Sequence, residues 1–224
     1  MNKQGRHEHK MYINFHDYLL ISGKLKHLAH LDKNSIDNNG YKIRSLYFDN
    51  YLDKAVIEKL SGQSQREKFR IRLYNDDPSY IHLEKKSKSN RLCYKVKCAI
   101  SQNRCERLIA GEIDVLKEMN EPLALELYSK MHTQALRPRV IVDYIREAYI
   151  YEPGNVRITF DRDICSSQNI FGLFDSELVT IPAAGSMIME VKYDGFLPEP
   201  IWQLIQVSSR HEREFSKYLV SRLV

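Results

Sequence analysis

Basic residues recur at two-residue spacing in three consecutive segments between residues 66 and 100, which read REKFRIRLY, SYIHLEKKSK and CYKVKCAI. At the period of a strand, Arg70 and Arg72 share one face and Leu73 lies on the other. A guanidinium grips two phosphate oxygens at once, whereas a lysine acts as a point charge. Like charges stacked across neighbouring strands repel one another unless an anion lies among them. The spacing therefore predicts a site for a multiply charged anion, with a half-solvated sheet face as the alternative explanation.

Length and composition restrict the class of protein. The 224 residues, 43% of them hydrophobic, are enough for one good-sized core, so we expect a single domain over residues 1–224. The net charge of +5 is too small for a generic nucleic-acid coat, and no nucleic-acid partner is expected. The four cysteines form no CxxC pair, and the sequence shows neither a membrane-length apolar run nor a signal-peptide core. We therefore expect a cytoplasmic protein, and any membrane-protein partner is not visible in the sequence.

The hydrophobic spacing predicts eight strands and four helical stretches. Helical spacing covers residues 15–31, 51–60, 105–132 with a break at Pro122, and 201 to about 223. Eight mostly antiparallel strands are enough to close a barrel around one small ligand, and closure would turn the charged faces inward. We predict an α+β fold: an eight-stranded antiparallel β-barrel with flanking helices, including a C-terminal helix. The predicted strands are residues 6–13, 41–49, 66–74, 80–88, 93–100, 138–148, 156–162 and 187–194.

Eight short motifs occur along the chain in order: RHEHKMY, SLYFDN, KFRIRLY, HLEKKSK, DYIREAY, VRITFD, MEVKY and EFSKY. The ordered set resembles the VTC domain, the polyphosphate polymerase domain of the triphosphate tunnel metalloenzyme (CYTH-like) superfamily, in a stand-alone bacterial form. The resemblance extends from Arg6 to Tyr218. It implies an eight-stranded antiparallel tunnel that holds triphosphate and a divalent metal, Mg²⁺ or Mn²⁺.

The resemblance also implies roles for individual residues. The expected catalytic phosphate contacts are Lys10, Arg70, Arg72, Lys86, Arg146 and Lys217. Further phosphate-binding positions are Lys97, Tyr144 and Ser216 by resemblance, and Arg157, Lys192 and Lys88 by their places on the same strand faces. Glu190 matches the metal-binding glutamate, and we expect Glu84 and Glu8 to hold the ion with it.

The first strand carries RxExK, with Arg6 where hydrolase branches of the superfamily carry a glutamate. One ion held by few acids among many cations activates water poorly but binds a phosphate acceptor well. We therefore predict a metal-dependent phosphotransferase that adds the γ-phosphate of ATP to a growing polyphosphate chain, with ATP and polyphosphate or tripolyphosphate as partners. Two alternatives stay open. One is a triphosphatase or nucleotidyl cyclase on the same tunnel, and the other is a non-catalytic module that binds polyphosphate or another phosphorylated ligand.

Overall fold

The computed structural model describes residues 6–33, 40–89, 92–183, 187–206 and 216–222. Within these ranges the chain forms ten strands and seven α-helices, an α+β fold built on one large antiparallel sheet. No helix in this part of the chain is long and apolar enough to cross a membrane. The strands are β1 (His7–Ile13), β2 (His30–Leu31), β3 (Tyr41–Asp49), β4 (Gln65–Tyr74), β5 (Asp77–Ser89), β6 (Leu92–Ala99), β7 (Arg137–Tyr151), β8 (Val156–Ser167), β9 (Ile181–Pro182) and β10 (Met187–Tyr193). The helices are α1 (Phe15–Leu28), α2 (Lys54–Leu60), α3 (Gln102–Ile109), α4 (Val115–Glu118), α5 (Pro122–Thr133), α6 (Glu199–Ile205) and α7 (Lys217–Ser221).

The strands pair in the order β1-β10-β8-β7-β3-β4-β5-β6, with β2 and β9 as two-residue additions to β7 and β8. The eight longer strands correspond to the eight predicted ones. Two-residue strands are too short to show an alternation, so residue spacing cannot predict them. Within the described residues, the edge strands β1 and β6 meet at a single bridge between Arg6 and Cys93. The expected closed barrel is therefore not formed, because the ladder of hydrogen bonds stays open between the two edges.

The outer face of β4 and β5 is apolar, as the two-residue period predicted. Phe69, Ile71, Leu73 and Leu83 are at most 2% exposed and belong to the core that includes residues of helices α3, α4 and α5. Full burial of one such side chain contributes about 1.5–3 kcal/mol. The apolar half of the period therefore holds the sheet to these helices, and the basic half is left on the inner face.

Helices α1 and α6 cover the outer face of β8 and β10. Leu25 of α1 and Ile201 of α6 belong to one buried core with Ile158 of β8 and Val191 of β10. This second apolar layer supports the strand that carries Glu190. Both halves of the sheet are thus backed by helices on one side.

The predicted C-terminal helix is in fact two helices. Helix α6 ends at Ile205, where Gln206 has φ −74° and ψ 78°, outside the helical region. Helix α7 begins after Ser216, which is extended and whose hydroxyl accepts a hydrogen bond from the Leu219 amide at 3.3 Å. A serine in this position starts a new helix, so the prediction of one helix from residue 201 to about 223 is wrong; residues 207–215 lie outside the described part. Similarly, α1 ends at Leu28 rather than at residue 31, because His30–Leu31 pairs with β7.

Asp49, at the end of β3, ties two helices to the sheet. Its buried carboxylate accepts hydrogen bonds from the Ala55 amide in α2 at 3.1 Å and from the Tyr218 hydroxyl in α7 at 2.7 Å. Because α7 is anchored in this way, Ser216 and Lys217 are held beside the inner face of the sheet.

A buried ion pair lies on the outer face of the sheet. Arg44 of β3 is 2% exposed and donates from Nε and Nη2 to the two carboxylate oxygens of Asp143, its partner across the ladder in β7, at 2.9 and 2.8 Å. Its Nη1 donates to the carbonyl oxygens of Asp175 at 2.6 Å and Leu173 at 3.3 Å. The guanidinium is therefore fully used in fastening a surface loop to the sheet.

Candidate functional site

The inner face of the sheet borders a cavity of about 590 Å³. Fourteen lysine and arginine side chains line it, against three glutamates, Glu8, Glu67 and Glu190. Sites for small molecules in proteins measure about 300–1,000 Å³, so a nucleotide or a short phosphate chain fits within this space. The excess of positive charge favours a polyanion as the occupant.

The structure brings most of the predicted site residues together here. All the predicted catalytic residues line the cavity, and each predicted phosphate-binding residue except Lys97 and each predicted metal ligand except Glu84 does so too. The residues placed as predicted are Lys10, Arg70, Arg72, Lys86, Arg146, Lys217, Tyr144, Arg157, Lys192, Ser216, Lys88, Glu190 and Glu8.

The two arginines of β4 are fixed by hydrogen bonds. Arg70 donates from Nε to Glu84 at 2.8 Å and from Nη1 to the Tyr47 hydroxyl at 3.2 Å. Arg72 donates from Nη2 to the Tyr144 hydroxyl at 2.8 Å. Burial raises the pKa of Glu84, but the charges of Arg70 and Arg72 outweigh it and hold this pKa well below its ordinary value. Glu84 is thus an ionised, buried support that orients the arginines toward the cavity.

Cations from three elements converge on the ring of Tyr144. The Lys217 amine lies 4.6 Å from the ring centroid, and the guanidinium carbons of Arg146 and Arg72 lie at 5.4 and 6.0 Å. Arg146 donates from Nε and Nη2 to Asp161 at 2.6 and 2.8 Å, and Lys217 forms a second ion pair with the same carboxylate. Burial raises the pKa of Asp161, whereas the two cations lower it, to about 2 overall. Two cations beside Tyr144 thus share one carboxylate.

Glu8 of β1 and Glu190 of β10 form a pair of carboxylates among lysines. Lys10 contacts Glu8 at 2.5 Å and Glu190 at 3.3 Å, and Lys192 also contacts both. Lys86 donates to Glu8 at 2.7 Å. Burial raises the pKa of Glu190, but the surrounding lysines hold it well below its ordinary value. Both acids are therefore ionised at neutral pH, despite their mutual repulsion.

This pair has the chemistry of a site for a hard divalent cation. Mg²⁺ is commonly held through one or two carboxylates, with phosphate oxygens and water in the other positions. Glu84 does not belong to the pair, because its oxygens contact Arg70 at 2.7 Å and Lys95 at 2.5 Å. In the described ranges, no group of three or more histidine, cysteine, aspartate or glutamate residues is gathered for a metal. Of the three predicted metal ligands, Glu8 and Glu190 thus share their lysine contacts and Glu84 lies apart from them, and metal binding stays a prediction.

Lys97 is the predicted phosphate-binding residue that the structure does not place in the cavity. It is exposed on the edge strand β6 and donates to the Tyr80 hydroxyl at 3.4 Å. Two residues earlier, Lys95 lines the cavity and pairs with Glu84. Alternate residues of a strand share a face but differ in position along it by about 7 Å. On β6, this distance takes Lys97 beyond the cavity, and Lys95 takes its predicted place.

Sequence reasoning missed Lys68 as a site residue. Its amine donates to the Ser216 hydroxyl at 2.8 Å and lies 5.3 Å from the centre of the Tyr218 ring. Burial, together with the positive charges of Lys10 and Lys59, lowers the pKa of Lys68 to about 7. The signal for it was present, since Lys68 is two residues from Arg70 and shares its face, but the motif resemblance assigned it no role.

Fold and cavity together define a class of protein: an antiparallel sheet backed by helices on its outer face, with a polyanion-sized basic cavity on its inner face. The VTC domain model matches residues 5–224, and the chain belongs to the VTC domain family. No curated protein matches the chain.

Solved structures resemble the chain at low sequence identity. A proposed adenylate cyclase from Vibrio parahaemolyticus is similar over 98% of this chain and 99% of its own, with 11% identity and a TM-score of 0.52. The PH1819 protein from Pyrococcus horikoshii OT3 is 14% identical over 97% of this chain and 99% of its own, with a TM-score of 0.49. A proposed adenylate cyclase from Bacillus halodurans is 14% identical over 86% of this chain and 82% of its own, with a TM-score of 0.48. The first of these similarities supports the fold.

Proposed function

We propose that the protein is a metal-dependent phosphotransferase that transfers the γ-phosphate of ATP to a growing polyphosphate chain. The observation that carries this proposal is the convergence of Arg72, Arg146 and Lys217 on Tyr144 in a cavity where cations far outnumber carboxylates. Membership of the VTC domain family supports the same conclusion.

The cations of the cavity suit phosphoryl transfer. This reaction requires little covalent chemistry from the protein, and depends on alignment of the donor and acceptor and on positive charge near the transferring group. Arg70 and Arg72 bind phosphate oxygens from β4, whereas Arg146 and Lys217 bind them from β7 and α7. Because hydrogen bonds already hold these guanidinium groups, little reorganisation is needed when the phosphates arrive.

The metal in this proposal is Mg²⁺ or Mn²⁺, held by Glu8 and Glu190. When bound, such an ion neutralises charge on phosphate oxygens. Lys10 and Lys192 contact the same carboxylates and keep them ionised. The residues that bind phosphate and the residues that hold the ion are therefore neighbours in one cavity.

Chain extension is favoured over hydrolysis by the shortage of acids. Within the described residues, no carboxylate cluster is available to hold several ions and activate a water. The many cations instead favour a second phosphate group as the attacking nucleophile. ATP and polyphosphate, or tripolyphosphate as a short analogue, are the substrates that this reasoning assigns.

The test is to incubate the pure protein with ATP and Mn²⁺ or Mg²⁺ and to separate polyphosphate from free phosphate. We expect polymer from the wild type. Glu190→Gln should abolish polymer formation while leaving tripolyphosphate affinity in EDTA unchanged or tighter, because the net positive potential rises. Free phosphate without polymer would identify a triphosphatase. Cyclic nucleotide would identify a cyclase, the activity named for the Vibrio parahaemolyticus protein.

A binding module without turnover is the second candidate. The observation in its favour is that Glu8 and Glu190 are both already paired with lysines, so that a metal must displace these contacts. This candidate predicts tight tripolyphosphate binding in EDTA and no consumption of ATP with either metal. Polymer formation by the wild type would exclude it.

A further inference from the structure

Lys68 differs from the other lysines of the cavity in its contacts. Its amine is hydrogen-bonded to the Ser216 hydroxyl at 2.8 Å and lies over the ring of Tyr218. Among the described residues, no carboxylate forms an ion pair with it. By contrast, Lys10, Lys86 and Lys192 each contact Glu8.

The acids on β3, α2 and β4 beside Lys68 each have another partner. On β3, Asp49 accepts hydrogen bonds from the backbone and from Tyr218. On α2, Glu58 pairs with Lys54 at 3.0 Å. On β4 itself, Glu67 pairs with Lys85 and Lys130.

The charges that face Lys68 are positive. They come from α2, β1, β4 and β5, and the residues are Lys59, Lys10, Arg66 and Lys86. Burial and these four charges all disfavour the ammonium form, which lowers the pKa of Lys68 to about 7. In these surroundings, the amine is therefore largely neutral above pH 7.

We propose that Lys68 is a further phosphate-binding residue of this cavity, and that it becomes charged by taking up a proton when a polyanion enters. The proposal deepens the function proposed above and rests on it for the identity of the ligand. Negative charge close to the amine reverses the repulsion that kept it neutral, so its lone pair binds a proton drawn from the solvent. The ammonium can then donate to the phosphate. The Ser216 hydroxyl already accepts from Lys68 and from the Leu219 amide, which leaves its own proton to donate to the same ligand.

This device has a specific consequence for affinity. A permanently charged amine would add to the repulsion among the cations before the ligand arrives, whereas a neutral amine does not. Polyanion binding should therefore be coupled to proton uptake, and it should weaken as the pH rises above neutral.

The test is calorimetric titration of the full chain with tripolyphosphate in EDTA, at pH 7.5, in PIPES and in imidazole. These buffers release different heats on giving up a proton, so comparing them counts the protons taken up. We expect the wild type to take up roughly half a proton more than Lys68→Met. The protonation of tripolyphosphate itself is common to both proteins and cancels in this difference. Lys68→Met should lower affinity roughly 10- to 100-fold at pH 6.5, with a smaller loss at pH 9.

Two further variants keep the test decisive. Lys68→Arg retains a permanent charge, so it should bind tripolyphosphate without the additional proton uptake and lose less affinity at high pH. Lys24→Met removes an exposed lysine of α1, outside the cavity, and should behave as the wild type. If Lys68→Met does not fold, the arginine variant still decides the question.

Equal proton uptake by the wild type and Lys68→Arg would overturn the proposal. Lys68-dependent proton uptake without polymer from ATP would leave this inference standing and remove the polymerase function. Polymer formation without Lys68-dependent proton uptake would support the polymerase function and overturn this inference. A wild type that does not bind tripolyphosphate would overturn both.

Discussion

The Arg44–Asp143 pair on the outer face of the sheet and the Arg146–Asp161 pair on its inner face have the same chemistry in different surroundings. Each joins residues that are direct partners across a ladder, and strand β7 contributes to both. The remaining guanidinium nitrogen of Arg44 donates to loop carbonyls, so that each of its three nitrogens has an acceptor within the protein. Arg146 shares its aspartate with Lys217, and both cations line the basic cavity.

The matching of charges distinguishes an ion pair that only stabilises the fold from one that lies beside a candidate ligand site. Removing two charges from water is costly, and a buried pair is tolerated when each charge is matched by an opposite charge and hydrogen bonds. The outer pair meets this condition within the protein. The inner group has two cations on one carboxylate at the edge of the basic cavity, where an anionic ligand would add matching charge.

The largest effect that we expect on stability is from Arg44→Ala. Removing one partner leaves Asp143 buried with Lys42 as its nearest cation, 3.7 Å away, and frees the carbonyls of the loop. Breaking a buried pair of this kind costs about 3–5 kcal/mol. Urea denaturation should show this loss, whereas Arg146→Ala should cost less, because Asp161 keeps Lys217. An equal loss in both variants would remove the distinction between the two faces.

Adjacent residues of β4 provide the next comparison. Arg72→Ala should reduce the rate of polymer formation by about 10²–10³-fold, as expected for loss of a preorganised cation, and leave the protein folded. Leu73→Ala on the outer face should destabilise the protein by roughly 2–5 kcal/mol as a core truncation while leaving turnover per folded molecule intact. The two measurements are initial rate and urea midpoint for each variant. An Arg72→Ala protein that is unfolded, beside a stable Leu73→Ala, would show that the faces are exchanged.

Tripolyphosphate should bind beside the inner group and stabilise the folded protein. A ligand that binds the folded state alone stabilises it by about 2.7 kcal/mol at one hundred times its dissociation constant, which thermal denaturation reports as a rise in Tm. Sulfate should raise Tm less, and sodium chloride at equal ionic strength is the control for screening. Arg146→Ala should reduce the rise. A Tm that is indifferent to millimolar tripolyphosphate would contradict a polyanion site.

The smallest expected effect compares two lysines on opposite faces. The lowered pKa of Lys68, about 7, means that the unfolded chain binds more protons than the folded one between pH 7 and its ordinary value of 10.5. Stability in this window therefore rises with pH, and the penalty is fully present below pH 7. Lys68→Met should raise the free energy of unfolding by about 1 kcal/mol at pH 7 and by less at pH 10.

Lys85 is the control for this variant. It lies on the outer face and donates to Glu126 at 2.6 Å, so Lys85→Met should not stabilise the protein at any pH. The check is urea denaturation of both variants at pH 7 and pH 10. A loss of stability in Lys68→Met at pH 7 would show that the Lys68 amine stabilises the fold in the absence of ligand.

The faces of the strands could be predicted because alternation alone decides them. Arg70 and Arg72 line the cavity and Leu73 is fully buried, as their spacing predicted. The alternation does not show where along a strand the cavity ends. Lys95 and Lys97 have identical patterns, and the end of the cavity separates them.

The arrangement of charges within the cavity depends on pairing between distant segments. The sequence analysis grouped Glu84 with the other acids, but Glu84 pairs with Arg70, its partner across the ladder, and with Lys95 of β6. The break before α7 also escaped prediction, because a serine inside an apolar period is compatible with a continuing helix. Closure of the barrel was inferred from the number of strands, and number does not determine whether the edges join.

The register of β1 with β10 bears on how the protein is made. Lys10 and Glu190 face each other across this ladder although they are about 180 residues apart in the chain. Contacts between residues so far apart in the chain form slowly, because the entropy cost of closing a long loop comes before the contact can stabilise the fold. The pairing of β1 with β10, which brings Glu8 and Glu190 together, can therefore form only after residue 190 has been synthesised. Lys217 is synthesised later still. During synthesis, the basic strands β4, β5 and β6 exist before β10 and α7 do, so the cavity on the inner face is completed late in folding.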